Sequence, residues 1–96
     1  MTRQALSHLD AVNRDIARAR EELRFLRERR AATREALEDR RLRMLIAETP
    51  IADRDLHVVA DELGRVEGRI RALESDLAAL TADEARLAGR GGHHVG

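Results

Sequence analysis

Apolar residues recur at seven-residue intervals along two long stretches of the chain, and the segment from Ala47 to Asp55 separates these stretches. In the first stretch, the a and d positions of the heptad abcdefg hold Leu9, Val12, Ile16, Ala19, Leu23, Leu26, Arg30, Thr33, Leu37, Arg40, Met44 and Ala47. In the second stretch, they hold Leu56, Val59, Leu63, Val66, Ile70, Leu73, Leu77, Leu80, Glu84 and Leu87. Apolar a and d positions are typical of helices that pair as a coiled coil. The pattern therefore predicts an all-α chain of two long helices.

The separating segment contains the only proline of the chain, Pro50. Proline fits the first turn of a helix because an N–H has no helical partner there, and a threonine hydroxyl caps the free N–H groups at a helix start. We therefore expect Thr49 to be the N-cap and Pro50 the first residue of a second helix. The expected architecture is a two-helix antiparallel coiled-coil hairpin, with helix 1 at about 3–47, a turn at 48–50, helix 2 at about 50–88 and a flexible Gly/His tail at 89–96.

A register for the hairpin follows from the requirement that facing residue numbers have a constant sum. The sum 103 places apolar residues opposite each other and centres the turn between Ile51 and Ala52. In antiparallel pairs e faces e and g faces g. This register sets side by side Arg34 and Glu67, Arg27 and Glu74, Arg29 and Asp76, and Arg43 and Glu62. The two halves also carry opposite net charges and attract each other. Residues 1–48 contain 12 Arg and 9 acids, a net charge of +3, whereas residues 49–96 contain 6 Arg and 9 acids, a net charge of −3.

The same register leaves apolar residues of helix 1 beyond the expected end of helix 2. The outer face of helix 2 near that end carries small, uncharged residues. These two features together predict that two chains associate there into a four-helix homodimer. The candidate dimer surface consists of Leu6, Leu9, Val12, Ala78, Ala82 and Ala85.

Polar residues and a glycine interrupt the heptads. Arg30, Thr33 and Arg40 occupy core positions of the first seam. Arginine stems can lie along a seam while their guanidinium groups reach water, or buried polar residues can select a register or a partner. Gly64 lies at an outer b position. It either lowers helix stability without a role or lets a partner's backbone approach.

Charge and composition narrow the classes of partner. The 18 basic and 18 acidic residues balance, the basic residues are all arginine, and Phe25 is the only aromatic residue. Without net charge or stacking residues, nucleic acid is a disfavoured partner. No apolar run, Met44 to Ala47 included, is longer than four residues, which is too short to span a membrane, and the first residues lead into polar helix. We therefore expect a cytoplasmic protein without membrane association.

None of the residue patterns that support catalysis stands out. The chain has no cysteine, and neither His8 nor His57 has a serine or a paired carboxylate at the spacing of a nucleophile dyad. His93 and His94 are adjacent in the glycine-rich tail, which provides two metal ligands where a stable site needs more. We expect no enzymatic activity, no cofactor and no bound metal.

Charged residues gather around the turn, namely Glu48, Asp53, Arg54 and Asp55. Acidic residues in the first turn of a helix interact favourably with the helix dipole, which explains Asp53 and Asp55 without a partner. The alternative is that these four residues form an acidic tip that binds a protein.

The hairpin, its acidic turn and the stretch LGRVEGRIRALE from Leu63 to Glu74 resemble the N-terminal coiled-coil arm of Gre-type transcript cleavage factors. That resemblance implies an arm that enters the secondary channel of bacterial RNA polymerase, where tip carboxylates help to hold a catalytic magnesium ion. Two departures change the expectation: the C-terminal globular domain of the family has no counterpart, and Arg54 separates the two aspartates. The resemblance therefore implies a polymerase-binding hairpin without cleavage activity.

The sequence thus favours a non-enzymatic coiled-coil module for protein–protein interaction that presents an acidic tip to a protein partner. Two alternatives stay open. One is a Gre-like regulator that binds the secondary channel of RNA polymerase, and the other is an arginine-based nucleic-acid binder.

Overall fold

A computed structural model describes residues 2–92 of the chain, with side chains as far as Gly89. Helix α1 (Arg3–Ala47) and helix α2 (Pro50–Gly92) are joined by only two residues, and the described part of the chain contains no strand. The predicted all-α helical hairpin is confirmed.

The turn is built from three local devices. Glu48 has a φ of 48°, a left-handed conformation that ends α1, while its N–H still donates to the Met44 carbonyl oxygen at 2.9 Å. Thr49 then caps α2, because its Oγ1 accepts a hydrogen bond from the Ala52 N–H at 3.1 Å. Helix α2 begins at Pro50, whose fixed φ suits the first helical position. The predicted cap and first residue of helix 2 are thus confirmed, and two residues suffice to reverse the chain.

Helix α2 extends to Gly92, four residues beyond the predicted end at 88. Glycine raises the free energy of a helix by about 1 kcal/mol relative to alanine but keeps its N–H, so it does not remove a helical hydrogen bond as proline does. His93 and His94, the adjacent histidines of the predicted tail, lie outside the described residues.

The chain divides into two compact units, which we call unit 1 (Met1–Leu23 with Ala72–Gly96) and unit 2 (Arg24–Arg71). In each unit the most buried residues occupy a and d positions. The buried residues of unit 1 are Val12, Ile16, Ala19, Leu23 and Leu73. Those of unit 2 are Thr33, Leu37, Val66 and Ile70. The heptad pattern therefore identified the core of both units.

The polar core positions of α1 are accommodated in two different ways. Thr33 is buried, and its hydroxyl donates to the carbonyl oxygen of Arg29 at 2.8 Å within the same helix. Arg40 is half-buried, and its Nη1 donates to Asp39 Oδ2 at 2.8 Å. The Thr33 hydroxyl is therefore hydrogen-bonded within its own helix. Arg40 extends from the seam to the exposed carboxylate of Asp39, as expected for a long side chain that keeps its charge solvated.

Two ion pairs connect the helices of unit 2. Arg29 Nη2 donates to Glu62 Oε1 at 2.6 Å, and Arg34 Nη2 donates to Glu67 Oε2 at 3.1 Å. The first pair joins two g positions and the second joins two e positions, as antiparallel pairing requires. The predicted neighbours Arg34 and Glu67 are therefore confirmed. Glu62, however, pairs with Arg29 and not with Arg43, whose Nε lies 3.3 Å from Asp39 Oδ2 on the same helix.

The predicted register is wrong by one heptad. The residue numbers of the two ion pairs add up to 91 and 101, which centres the register of unit 2 near 96. In the register of sum 103, Arg29 and Glu62 would be offset by about 18 Å along the helix axis, whereas their atoms meet at 2.6 Å. The centre of the turn accordingly lies between Glu48 and Thr49, and not between Ile51 and Ala52.

Replacement of the α2 cap tests the origin of the turn. We expect Thr49→Ala to lower the free energy of unfolding by about 1 kcal/mol, because the Ala52 N–H loses its acceptor. Thr49→Ser keeps the hydroxyl and should stay close to the parent chain in urea denaturation followed by circular dichroism. Equal losses for both variants would contradict the assignment of Thr49 as the cap.

Gly64 provides a second test, because a Cβ added there meets no atom within 4 Å. We expect Gly64→Ala to raise the free energy of unfolding by about 0.5–1 kcal/mol through better helix propensity and a less disordered unfolded state. Gly89→Ala is the matched control, since Gly89 is equally unhindered but lies close to the helix end at Gly92. Its effect should be smaller in the same denaturation experiment. A destabilised Gly64→Ala chain would contradict the open space at this position.

Candidate interaction surface

Large aliphatic residues are exposed on both sides of the turn of unit 2. Leu42, Leu45 and Ile46 on α1 are 55%, 74% and 86% exposed, and Ile51 on α2 is 74% exposed. These residues occupy the outer b, c and f positions, which face away from the seam. We call these four residues the turn surface. Their exposure is a consequence of the local sequence, because α1 carries its longest apolar run, Met44 to Ala47, through its last turn.

The charged residues predicted to form the tip lie around the same turn. Glu48, Arg54 and Asp55 are exposed, and Asp53 is half-exposed in the first turn of α2. The structure thus brings the four predicted residues into one region, but together with the aliphatic residues of the turn surface. The tip is therefore mixed, with apolar and charged parts. These exposed aliphatic residues could have been found from the sequence, since heptad assignment places Leu45 and Ile46 at outer positions.

His57 lies about two turns into α2 and contacts Asp53 twice. Its Nδ1 donates to the Asp53 carbonyl oxygen at 2.8 Å, and the same nitrogen lies 3.6 Å from Asp53 Oδ1. The hydrogen bond to this carbonyl, followed by the attraction of the Asp53 carboxylate and a smaller attraction to Asp61, raises the pKa of His57 above its ordinary value of 6.5. The imidazole is exposed, so this interaction is screened by water.

The described residues contain no group of three or more His, Cys, Asp or Glu side chains placed to hold a metal ion. Within the same residues, neither helix has a stretch that combines the length and the apolar character needed to cross a bilayer.

The predicted dimer surface near the chain ends requires a correction. Val12 is only 5% exposed within the single chain, and Leu9 is half-buried, whereas Leu6 is 50% exposed. Val12 lies in unit 1, which α1 forms together with the end of α2, and α2 extends to Gly92, past the predicted end at 88. The predicted overhang is thus absent at Val12. The remaining residues of that surface, Ala78, Ala82 and Ala85, are exposed as expected.

Comparisons with protein families, with curated proteins and with solved structures found no match to this chain.

The contacts of His57 predict a pH effect with a defined sign. Since the folded chain raises the pKa of His57, the protonated imidazole stabilises the folded state. That contribution is complete below the ordinary pKa of 6.5 and is lost as the pH rises through the higher folded-state pKa. We therefore expect His57→Gln to destabilise the chain more at mildly acidic pH than at alkaline pH in thermal denaturation.

Titration of the His57 ring by NMR checks the cause of its raised pKa. In the Asp53→Asn variant the carboxylate charge is removed while the carbonyl acceptor is kept. The pKa of His57 should then be lower than in the parent chain, although the remaining hydrogen bond still raises it. An unchanged pKa in this variant would contradict the contribution of the carboxylate.

Proposed function

We propose that this chain is a non-enzymatic protein–protein interaction module that binds a protein partner through the turn surface and the charged residues beside it. The observation that carries this proposal is the exposure of Leu45, Ile46 and Ile51, each 74% or more exposed, within seven consecutive residues. Burial of one such side chain stabilises a complex by roughly 1.5–3 kcal/mol. Binding of a partner that covers these residues is therefore favoured by their removal from water.

The composition of the region supports a protein partner. Protein interfaces combine an apolar centre with a polar, solvent-accessible rim. Here the aliphatic residues of the turn surface provide the centre, and Glu48, Arg54 and Asp55 provide charged groups beside it. The short, capped turn fixes the ends of both helices, so these side chains lose little backbone freedom on binding.

The acidic part of the turn also supports a narrower alternative, a Gre-like regulator that binds RNA polymerase. Glu48 and Asp55 are both exposed at the turn, where an arm inserted into a channel would make its contacts. Arg54, which lies between the two aspartates, weakens the expectation of a bound metal ion. A nucleic-acid binder has less support, since Arg29 and Arg34 are engaged by Glu62 and Glu67.

The experiment is affinity co-purification from the native host with quantitative mass spectrometry. The parent chain is compared with a variant that carries Ile46→Ser and Ile51→Ser, and with Phe25→Ser as the matched control. Phe25 is 60% exposed and lies outside the turn surface, so its replacement also makes an exposed apolar residue polar. We expect one protein to be enriched by the parent chain and by Phe25→Ser, and to be depleted at least tenfold in the double variant.

Circular dichroism should show equal helix content in all three chains, because the replaced residues are exposed. Enrichment of the same proteins by the double variant and by the parent would contradict the proposed role of the turn surface. Binding to purified bacterial core RNA polymerase distinguishes the narrower alternative. That alternative predicts binding that is lost when Asp53→Ala and Asp55→Ala are combined.

A further inference from the structure

One side of unit 2 exposes large apolar residues on both of its helices. In an antiparallel pair the g and c positions of both helices lie on the same side of the seam. An open groove of about 470 Å³ runs along this side of unit 2 and is lined by c, d and g positions of both helices. We call the surface formed by the g and c positions of residues 24–71 the g/c face. Its exposed large apolar residues all occupy c positions, namely Phe25, Ile46, Ile51 and Val58.

Two charged residues of the g/c face have no partner. Asp55 and Arg65 are exposed, and their side chains form no ion pair or hydrogen bond within the part of the chain that the structure describes. The other charged residues of the face all interact with another group, and these are Arg29, Asp39, Arg43, Glu62 and Arg69. The face therefore keeps one uncompensated negative charge and one uncompensated positive charge, both on α2.

The g/c face is complementary to itself. Phe25 and Ile46 lie at equal distances from a point between residues 35 and 36 of α1, and Asp55 and Arg65 lie at equal distances from residue 60 of α2. In the register of unit 2, which is centred near 96, residue 36 lies opposite residue 60, so the two points are at the same level. A two-fold axis at this level brings Phe25 of one copy to Ile46 of the other. It also brings Asp55 to Arg65, and each contact forms twice.

We propose that two copies of this chain associate through their g/c faces about this axis, with the hairpins of the two copies antiparallel. The contact uses the same patch on both copies, so it closes at two chains, and it involves only residues of unit 2. Opposite charges at both contacts select this orientation. A parallel arrangement of the two faces would place the free Arg65 at the level of Ala31 of the other copy, where it meets no carboxylate.

The middle of the face allows the two copies to approach closely. Ala32 and Ala36 occupy c and g positions of α1 between Phe25 and Ile46. The distance between packed helices depends on the side chains at their contact, and alanine keeps it short. The large side chains of Phe25 and Ile46 then lie on either side of the central alanines.

The proposed axis also brings Arg29 of one copy to the level of Arg43 of the other. Arg29 is already paired with Glu62, and Arg43 with Asp39. Both arginines therefore enter the contact with their charge compensated, so this pair of residues does not oppose the dimer as two free charges would.

The area of the face supports a second copy as the occupant. The α1 part of unit 2 runs from Arg24 to Ala47, which is about 36 Å at 1.5 Å per residue. Two packed helices are about 20 Å wide, so the face covers about 700 Å². A specific interface of standard size covers about 800 Å² on each partner. A single helix of another protein, about 10 Å wide, would cover only about half of the face.

The dimer covers part of the turn surface. Ile46 and Ile51 belong to the g/c face, whereas Leu42 and Leu45 occupy f and b positions outside it. A second copy therefore competes with the protein partner proposed above for Ile46 and Ile51. This consequence rests on the proposed function, but the dimer itself does not.

Charge reversal tests the dimer in a way that a general loss of stability cannot imitate. We choose Asp55→Arg and Arg65→Asp, because both side chains are exposed and their replacement breaks no ion pair within the described residues. In a dimer of either variant alone, like charges meet at both contacts. In a dimer of one variant with the other, opposite charges meet again at both contacts, so mixing should restore association.

Sedimentation equilibrium is measured on the full chain up to hundreds of micromolar and at low ionic strength, because salt screens exposed charges. Circular dichroism confirms folding. We expect the parent to dimerise in the micromolar range and each variant alone to associate at least about tenfold more weakly. An equimolar mixture of the two variants should dimerise like the parent. The matched controls Asp61→Arg and Arg71→Asp reverse exposed charges at f and b positions of α2 and should leave the dimer unchanged.

A second pair of variants tests the apolar part of the face. Phe25→Ser should weaken the dimer, because it removes an apolar side chain that is 60% exposed in the single chain. Leu45→Ser is the matched control, since Leu45 is 74% exposed but occupies a b position outside the g/c face. It should dimerise like the parent in the same sedimentation experiment.

Three outcomes would overturn the proposal: a parent chain that is monomeric over the whole concentration range, folded g/c-face variants that dimerise as strongly as the parent, or a mixture of the charge variants that fails to recover the dimer. Sedimentation uses the purified chain without any other protein, so its result is separate from the co-purification experiment. A monomeric parent that still enriches a protein partner would refute only the dimer. A parent that dimerises as proposed but enriches no partner would refute only the proposed function.

Discussion

Burial of the a and d side chains between two antiparallel helices is the interaction on which every other feature of this chain depends. Each unit keeps its own set of buried seam residues, and Leu23 in unit 1 and Ile70 in unit 2 are nearly inaccessible to solvent. The seam is only two helices thick, so it covers a narrow stripe of each helix. The outer b, c and f positions and the flanking g positions are consequently free to carry charge or apolar surface. The residues of the turn surface occupy such outer positions.

The helices, the cap and the core could be predicted because their causes are local. Heptad spacing identifies the buried stripe, and Thr49 with Pro50 identifies the start of α2. The register could not be predicted in the same way, because a shift of one heptad again places a and d positions opposite each other. The neighbours Arg34 and Glu67 also fit both registers. The length of the turn decides between the two registers. That length depends on the left-handed conformation of Glu48, a conformation that glycine usually signals and that a glutamate does not.

The same error explains why the candidate surfaces were only partly predicted. The predicted register and the predicted end of helix 2 at 88 left Val12 uncovered and placed the expected dimer surface at the chain ends, whereas α2 extends to Gly92 and Val12 is buried. At the turn, the charged residues predicted a polar tip, whereas the aliphatic side chains of Leu45 and Ile46 are exposed beside them.

The most direct test of the pairing is a methyl–methyl NOE measurement on Leu37, a buried residue of unit 2. A register centred near 96 places Leu37 opposite Val59, whereas a register of 103 places it opposite Val66, about 10 Å further along α2. The account predicts NOEs from the Leu37 methyl groups to those of Val59 and none to those of Val66. Strong NOEs to Val66 without any to Val59 would contradict the two-residue turn and the register that the ion pairs of Arg29 and Arg34 define.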